Sequence, residues 1–245
     1  MCIRDSTPTH GFTSEHDNDT FTCITNTTYT KTSLNANQTF YFFVKAIGTG
    51  PDSAFSSGQV VYTKPNNPSS LSTTSIGQTQ MTIGWTAPTH GATSYTYYHG
   101  THGSVVGGGN SSASTTNTSE TITSLSANTR YYWGVIAVGP GGNSLLVTSD
   151  SYTLPNQITG LTASTVSSSP SEIDVSWTAP TNGATNYILK FVKSNPYGTM
   201  STFSTQSSTS DTITGLDSNS IYYVGVISVG PSSLPVSYTH LRAHE

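Results

Sequence analysis

Four groups of side chains could do chemistry here if folding brought them together. His99 and His102 are three residues apart, with His90 near and His10 and His16 upstream. Zinc needs three or four converging ligands and a second layer of groups to orient them. A parallel stretch later in the chain carries Asn182 and Phe191 in place of His90 and His99, so the set does not recur and loop histidines are expected. Glu15, Asp17 and Asp19 put acids on alternate residues, as calcium loops do, but without the glycine and final glutamate of an EF-hand. Gly107–Gly109 lacks the lysine and helix of a phosphate loop, and no serine sits in a nucleophile elbow. Trp85 and Trp177 have flat faces that could stack on sugars. Each instead follows two alternating apolar residues, which places them in a core. No catalytic residue, cofactor or metal ligand is expected.

The elements that would position such groups come in copies. Leu34–Gly48 (LNANQTFYFFVKAIG), Leu125–Gly139 (LSANTRYYWGVIAVG) and Leu216–Gly230 (LDSNSIYYVGVISVG) begin at a constant step of 91 residues. A fixed period of that length marks an array of small domains. Low charge (8%), fourteen tyrosines and frequent turn formers argue for an all-β chain. A net charge of −4 provides no basic footprint for nucleic acid, and no apolar run approaches the roughly 18 residues of a membrane helix. The two cysteines, Cys2 and Cys23, do not recur with the repeat, so each repeat must rest on its apolar core.

Both ends look foreign. Met1–Ser6 and Val236–Glu245 back-translate to sequence resembling the two strands of a transposase adapter used in sequencing libraries. The expected division is therefore 1–6 adapter-like, 7–64 the C-terminal part of a truncated repeat, 65–154 a complete repeat, 155–235 a repeat lacking its last strand, and 236–245 adapter-like. Prolines in the linkers at 64–68 and 154–157 punctuate the sheets, because proline cannot donate to a ladder.

In the complete repeat a strand near Leu71 precedes Met81–Trp85, where Met81, Ile83 and Trp85 alternate with Thr82 and Gly84. Ile173, Val175 and Trp177 repeat the pattern. A third strand puts Tyr95, Tyr97 and His99 on one face; Tyr187, Leu189 and Phe191 answer them. Gly100–Ser119 reads as a mobile edge strand and loop, a short strand lies at Ile122, and a last one runs from about Leu145 to Tyr152. In the 91-residue copies Tyr131, Trp133, Val135 and Ala137 share one face. The opposite face is also apolar, with Phe43 and Ile47, Ile136 and Val138, Ile227 and Val229. A sandwich strand ordinarily alternates apolar with polar; the first reading of this face is a central strand favouring β-branched residues and covered in part by its neighbours' side chains, and the second is a contact with a partner or neighbouring domain.

The tryptophan strand, the Tyr–x–aliphatic strand and the spacing of Leu125, Tyr131, Val135 and Ala137 resemble the fibronectin type III domain. Leu216, Tyr222 and Val226 match in the next copy, with Ser228 replacing the alanine. The resemblance implies tandem immunoglobulin-like β-sandwiches, seven strands each, without an obligatory disulfide. It implies that Tyr131 and Tyr222 form tyrosine corners, their hydroxyls bonded to nearby backbone; Phe40 is the variant in the first copy. The expected structural core is Trp85, Trp177, Leu125, Leu216, Tyr131, Tyr222, Val135 and Val226. In the first copy Phe40, Phe42 and Val44 would lack a facing sheet, beside an unpaired edge.

The implied function is a non-catalytic extracellular spacer or interaction module of a larger surface or secreted protein. Its partners would be neighbouring domains and a protein or glycan. The alternatives are an accessory linker of a secreted polysaccharide-degrading enzyme, or a phage or virion surface module. Asn18, Asn26, Asn37, Asn110 and Asn117 lie in Asn–x–Ser/Thr sequons, and no Arg-Gly-Asp occurs.

Overall fold

Apolar residues on alternate positions, rich in tyrosine and β-branched types, cannot be buried as one stripe of a helix but line one face of a strand. The computed structural model describes residues 2–6, 20–195, 197–231 and 239–243, with 2–6, 20–22 and 239–243 described by backbone alone. Among the described residues all regular structure is β, in five sheets.

The first repeat region holds β1 (Cys2–Ser6), β2 (Thr20–Cys23), β3 (Thr39–Lys45) and β4 (Gln59–Tyr62), in a single sheet of order β2-β1-β3-β4. β3 is paired on both sides, with Ile3 opposite Val44 and Phe40 opposite Val61. The unpaired edge expected beside β3 is thus filled by residues 2–6. An open edge is a template for any extended segment lying along it, whatever that segment's origin. The free edges fall instead at β2 and at β4, where Val60, Val61 and Tyr62 are exposed. Cys23 is disulfide-bonded.

The second repeat is a sandwich of two sheets. Its strands are β5 (Ser69–Thr74), β6 (Met81–Thr86), β7 (Ser94–Gly100), β8 (Ser111–Thr115), β9 (Ser119–Ile122), β10 (Arg130–Gly139), β11 (Gly142–Asn143) and β12 (Val147–Tyr152). β5-β6-β9 form one sheet; β11-β10-β7-β8, with β12 also on β10, form the other. Met81, Ile83, Trp85 and Ile122 of the first sheet pack against Tyr95, Trp133, Val135 and Ala137 of the second. Trp133 is fully buried.

The third repeat repeats the plan with β13 (Thr159–Val166), β14 (Ser169–Thr178), β15 (Asn186–Lys193), β16 (Ser201–Gln206), β17 (Ser210–Ile213), β18 (Tyr222–Val229) and β19 (Thr239–Ala243). β13-β14-β17 face β16-β15-β18-β19 across a separate core of Ile173, Val175, Trp177, Tyr187, Leu189, Ile213, Val224 and Val226. β19 takes the place beside β18 that β12 takes beside β10.

Two local expectations shift. The last strand of the second repeat starts at Val147 rather than Leu145, which is 75% exposed. Ser144 Oγ accepts the Ala137 N–H (2.9 Å), and Asn67 Oδ1 accepts that of Leu145 (3.1 Å), so side chains take two of the bonds there while the Ser144 N–H still reaches Ala137 O (2.9 Å). The loop expected to be mobile after β7 is organised by Asn110. Its amide donates to the carbonyls of His102 (2.9 Å), Ser104 (3.1 Å) and Val105 (3.3 Å), and Val105 is buried.

Candidate interaction surface and repeat junctions

Trp85 and Trp177 lie in the two cores, each with its ring edge-on to a tyrosine, Tyr95 and Tyr187, at 5.4 Å in both repeats. Neither presents a flat face to solvent. Leu125 and Leu216 are buried, and their N–H groups donate to Thr79 O (2.9 Å) and Ser171 O (3.1 Å). Val135 and Val226 sit at the centres of β10 and β18. The Tyr131 hydroxyl accepts the Ser126 N–H at 2.9 Å, and the Tyr222 hydroxyl accepts the Asp217 N–H at 2.9 Å. Each therefore spans five residues back to its own loop, as a tyrosine corner does. Tyr222 is buried, whereas Tyr131 is partly exposed.

A three-stranded sheet packed against a larger one, five-stranded in the second repeat and four-stranded in the third, together with that corner decides the architecture. The fold is a tandem of fibronectin type III sandwiches. No family model and no curated protein sequence matches the chain. Among solved structures it is similar to a two-domain fibronectin type III segment from chicken tenascin, at 21% identity and a TM-score of 0.47 over 73% of this chain and 99% of that one. It is also similar to the FN1–FN3 domains of chicken CNTN1, at 18% identity and a TM-score of 0.41 over 100% of this chain and 91% of that one.

The candidate ligands are dispersed by this fold. His99 faces the core side of β7 opposite Trp133, stacked on Tyr97 at 6.2 Å, and its half-burial lowers its pKa below the usual imidazole value. His102 Nδ1 accepts the Ser104 N–H at 3.1 Å. His90 stands in a turn at φ 66°. Among the described residues no three His, Cys, Asp or Glu side chains are grouped to hold a metal. His10, His16, Glu15, Asp17 and Asn18 lie outside the described residues, as does Asp19.

The outer face of the β10 sheet is the one whose apolar residues, Ile136 and Val138, depart from simple alternation. Register places Arg130, Tyr132, Gly134, Ile136 and Val138 on that face of β10, next to Tyr98 on β7 and Asp150 and Tyr152 on β12. The Arg130 guanidinium sits 4.7 Å from the Tyr132 ring and 5.8 Å from that of Tyr152, while its Nε donates to Asp150 Oδ2 at 2.9 Å. That hydrogen bond raises the Arg130 pKa further. Ile136 and Val138 are partly covered; their counterparts Ile227 and Val229 are buried.

The groups that sequence reasoning passed over are at the junctions between repeats. Thr153 is fully buried; its hydroxyl donates to Ser126 O (2.6 Å) and accepts the Thr129 N–H (3.0 Å). Thr63 does the same with Asn35 O (2.7 Å) and the Gln38 N–H (2.9 Å). The last strand of each repeat is thereby pinned to the loop before β3 or β10, just ahead of the linker prolines Pro65 and Pro155. The signal was available: Thr-x-Pro-Asn occurs at 63–66 and 153–156.

Proposed function

We propose that this chain is a non-catalytic extracellular spacer and interaction module within a larger surface or secreted protein. One observation carries the reading: the side chains that recur from repeat to repeat are used for folding and joining. Trp85 and Trp177 fill cores, Tyr131 and Tyr222 brace corners, and Thr63 and Thr153 pin linkers. On the outer sheet face Arg130, which stands where the other copies carry Thr39 and Ile221, is flanked by Tyr132 and Tyr152. An aromatic face with a cation beside it suits a glycan or an acidic protein loop. Eight Lys and Arg in 245 residues and the fibronectin-like repeats support placement outside the cell.

A binding screen of residues 65–235 against glycans, polysaccharides and matrix proteins tests it. Saturable binding lost in Tyr132→Ala and Tyr152→Ala assigns the contact to that face. Turnover of any polysaccharide would overturn the non-catalytic reading.

A further inference from the structure

Asn37, Asn128 and Asn219 occupy one position of the repeat, at the 91-residue step, and share one backbone conformation with φ of 54°, 50° and 53°. Left-handed backbone is readily taken by glycine, asparagine and aspartate, and of these only asparagine carries side-chain N–H donors. At both junctions the donor is used across the boundary. Asn37 Nδ2 donates to His90 O at 3.2 Å, and Asn128 Nδ2 donates to Asn182 O at 2.8 Å. The acceptors are themselves equivalent: His90 and Asn182 each precede the glycine of a Pro-Thr-x-Gly turn, and both have φ of 66°. At the second junction the contact is reciprocal, since Asn182 Nδ2 donates to Ala127 O at 3.2 Å.

The following repeat is shaped to admit the amide. A Cβ built on Gly230 would lie 3.1 Å from both Asn128 Oδ1 and Pro155 Cδ. One built on Gly139, the equivalent position, would run into Asn37 Oδ1 and lie 3.0 Å from Pro65 Cδ. The amide is held from behind by its own backbone, as Asn37 N–H donates to Lys64 O and Asn128 N–H to Leu154 O, each at 3.0 Å. The oxygens of Asn37 and Asn128 are buried without a partner. Leaving a polar atom so costs free energy, so the side chain is held in the junction by its N–H contact. Asn219, with no described repeat beyond it, is exposed.

We infer that this asparagine is an inter-repeat latch: Asn37 and Asn128 lock each repeat to the turn and glycine of the next, giving the array one fixed orientation per junction. The occupant of the latch is a following repeat carrying a Pro-Thr-x-Gly turn and a glycine at the end of its strand equivalent to β10. The latch goes beyond the spacer reading, because a spacer of freely hinged beads would serve as well; losing it would leave that reading standing.

Residual dipolar couplings on the full chain test it. In the native chain the second and third repeats fit one alignment tensor. Asn128→Gly keeps the backbone conformation and removes the donor, so the shared tensor is lost while amide shifts inside each core stay put. Asn128→Asp, nearly isosteric, turns an acceptor toward the Asn182 carbonyl and has the same effect. Asn219→Gly makes the same change in the same loop without a neighbour and leaves the tensor shared. Overturning results are a tensor still shared in both Asn128 variants, or one lost equally in Asn219→Gly. Should either Asn128 variant unfold, Gly230→Ala, which crowds the amide from the other side, carries the same expectation of a lost shared tensor.

Discussion

Tyr222→Phe deletes a single oxygen and nothing else from the third repeat. The ring keeps its contacts in the core, and the Asp217 N–H loses its acceptor. A buried donor left unsatisfied costs about 1–3 kcal/mol. The Asp217–Tyr222 bond is part-buried and Tyr222 itself is buried, so water replaces the hydroxyl poorly and a loss of about 2 kcal/mol follows. The matching bond of Tyr131 to Ser126 is exposed, water can take over, and Tyr131→Phe should cost about 0.7 kcal/mol. Hydrogen exchange on the full chain reads the two repeats separately. Protection in β17 and β18 should fall about 30-fold in Tyr222→Phe, and in β9 and β10 about threefold in Tyr131→Phe. Tyr222→Phe exchange within twofold of native, or a larger loss in Tyr131→Phe, would refute the corner as a burial-weighted hydrogen bond.

Trp85→Ala and Trp177→Ala should each destabilise their own repeat by about 3–5 kcal/mol and leave the other repeat's unfolding transition in place, because the two cores are separate. An unchanged melting temperature would contradict the core placement. His99 has a folded pKa below its unfolded value, so the unfolded state binds the proton more tightly; stability of the second repeat is full above about pH 6.5 and declines as pH falls below it. His99→Phe, the residue the third repeat carries as Phe191, should flatten that acid limb in pH-dependent thermal melts. Residues 7–64 alone lack β1, which pairs with β3, and among the described residues they have one sheet with no facing partner. A collapsed amide spectrum and self-association are expected from that fragment, and a sharp, dispersed spectrum would rule the reasoning out.

Much of the fold was legible because alternation has one physical reading. Met81, Ile83 and Trp85 on every second residue can be buried together only on one face of a strand, and the same holds for Trp133, Val135 and Ala137. The corners were legible through the recurring spacing of Leu125 to Tyr131 and Leu216 to Tyr222, five residues lying between each pair. The start of β12 was not, since Leu145 continues the apolar pattern and only the Ser144 and Asn67 side chains, which take two of the bonds there, displace it. The first copy departed for a similar reason: backbone pairing of β1 with β3 depends on unpaired N–H and C=O groups and leaves no mark in side-chain patterning. The junction asparagines escaped notice because asparagine in a loop is the ordinary choice for left-handed backbone. The acceptors that give Asn37 and Asn128 a second use are 53 and 54 residues away. The outer face of β10 was singled out from Ile136 and Val138, yet the structure puts its charge and half-buried aromatic rings in Arg130, Tyr132 and Tyr152.

Independent cores joined in series are the central claim, and residues 65–154 expressed alone test it most directly. Their amide correlation spectrum, laid over that of the whole chain, should coincide throughout β5 to β12 and differ only near Pro65, His90, Asn128, Gly139 and Leu154, which face the neighbouring repeats. A collapsed spectrum, or shifts spread through Ile83, Trp133 and Val135, would show that the core depends on its neighbours and contradict the account.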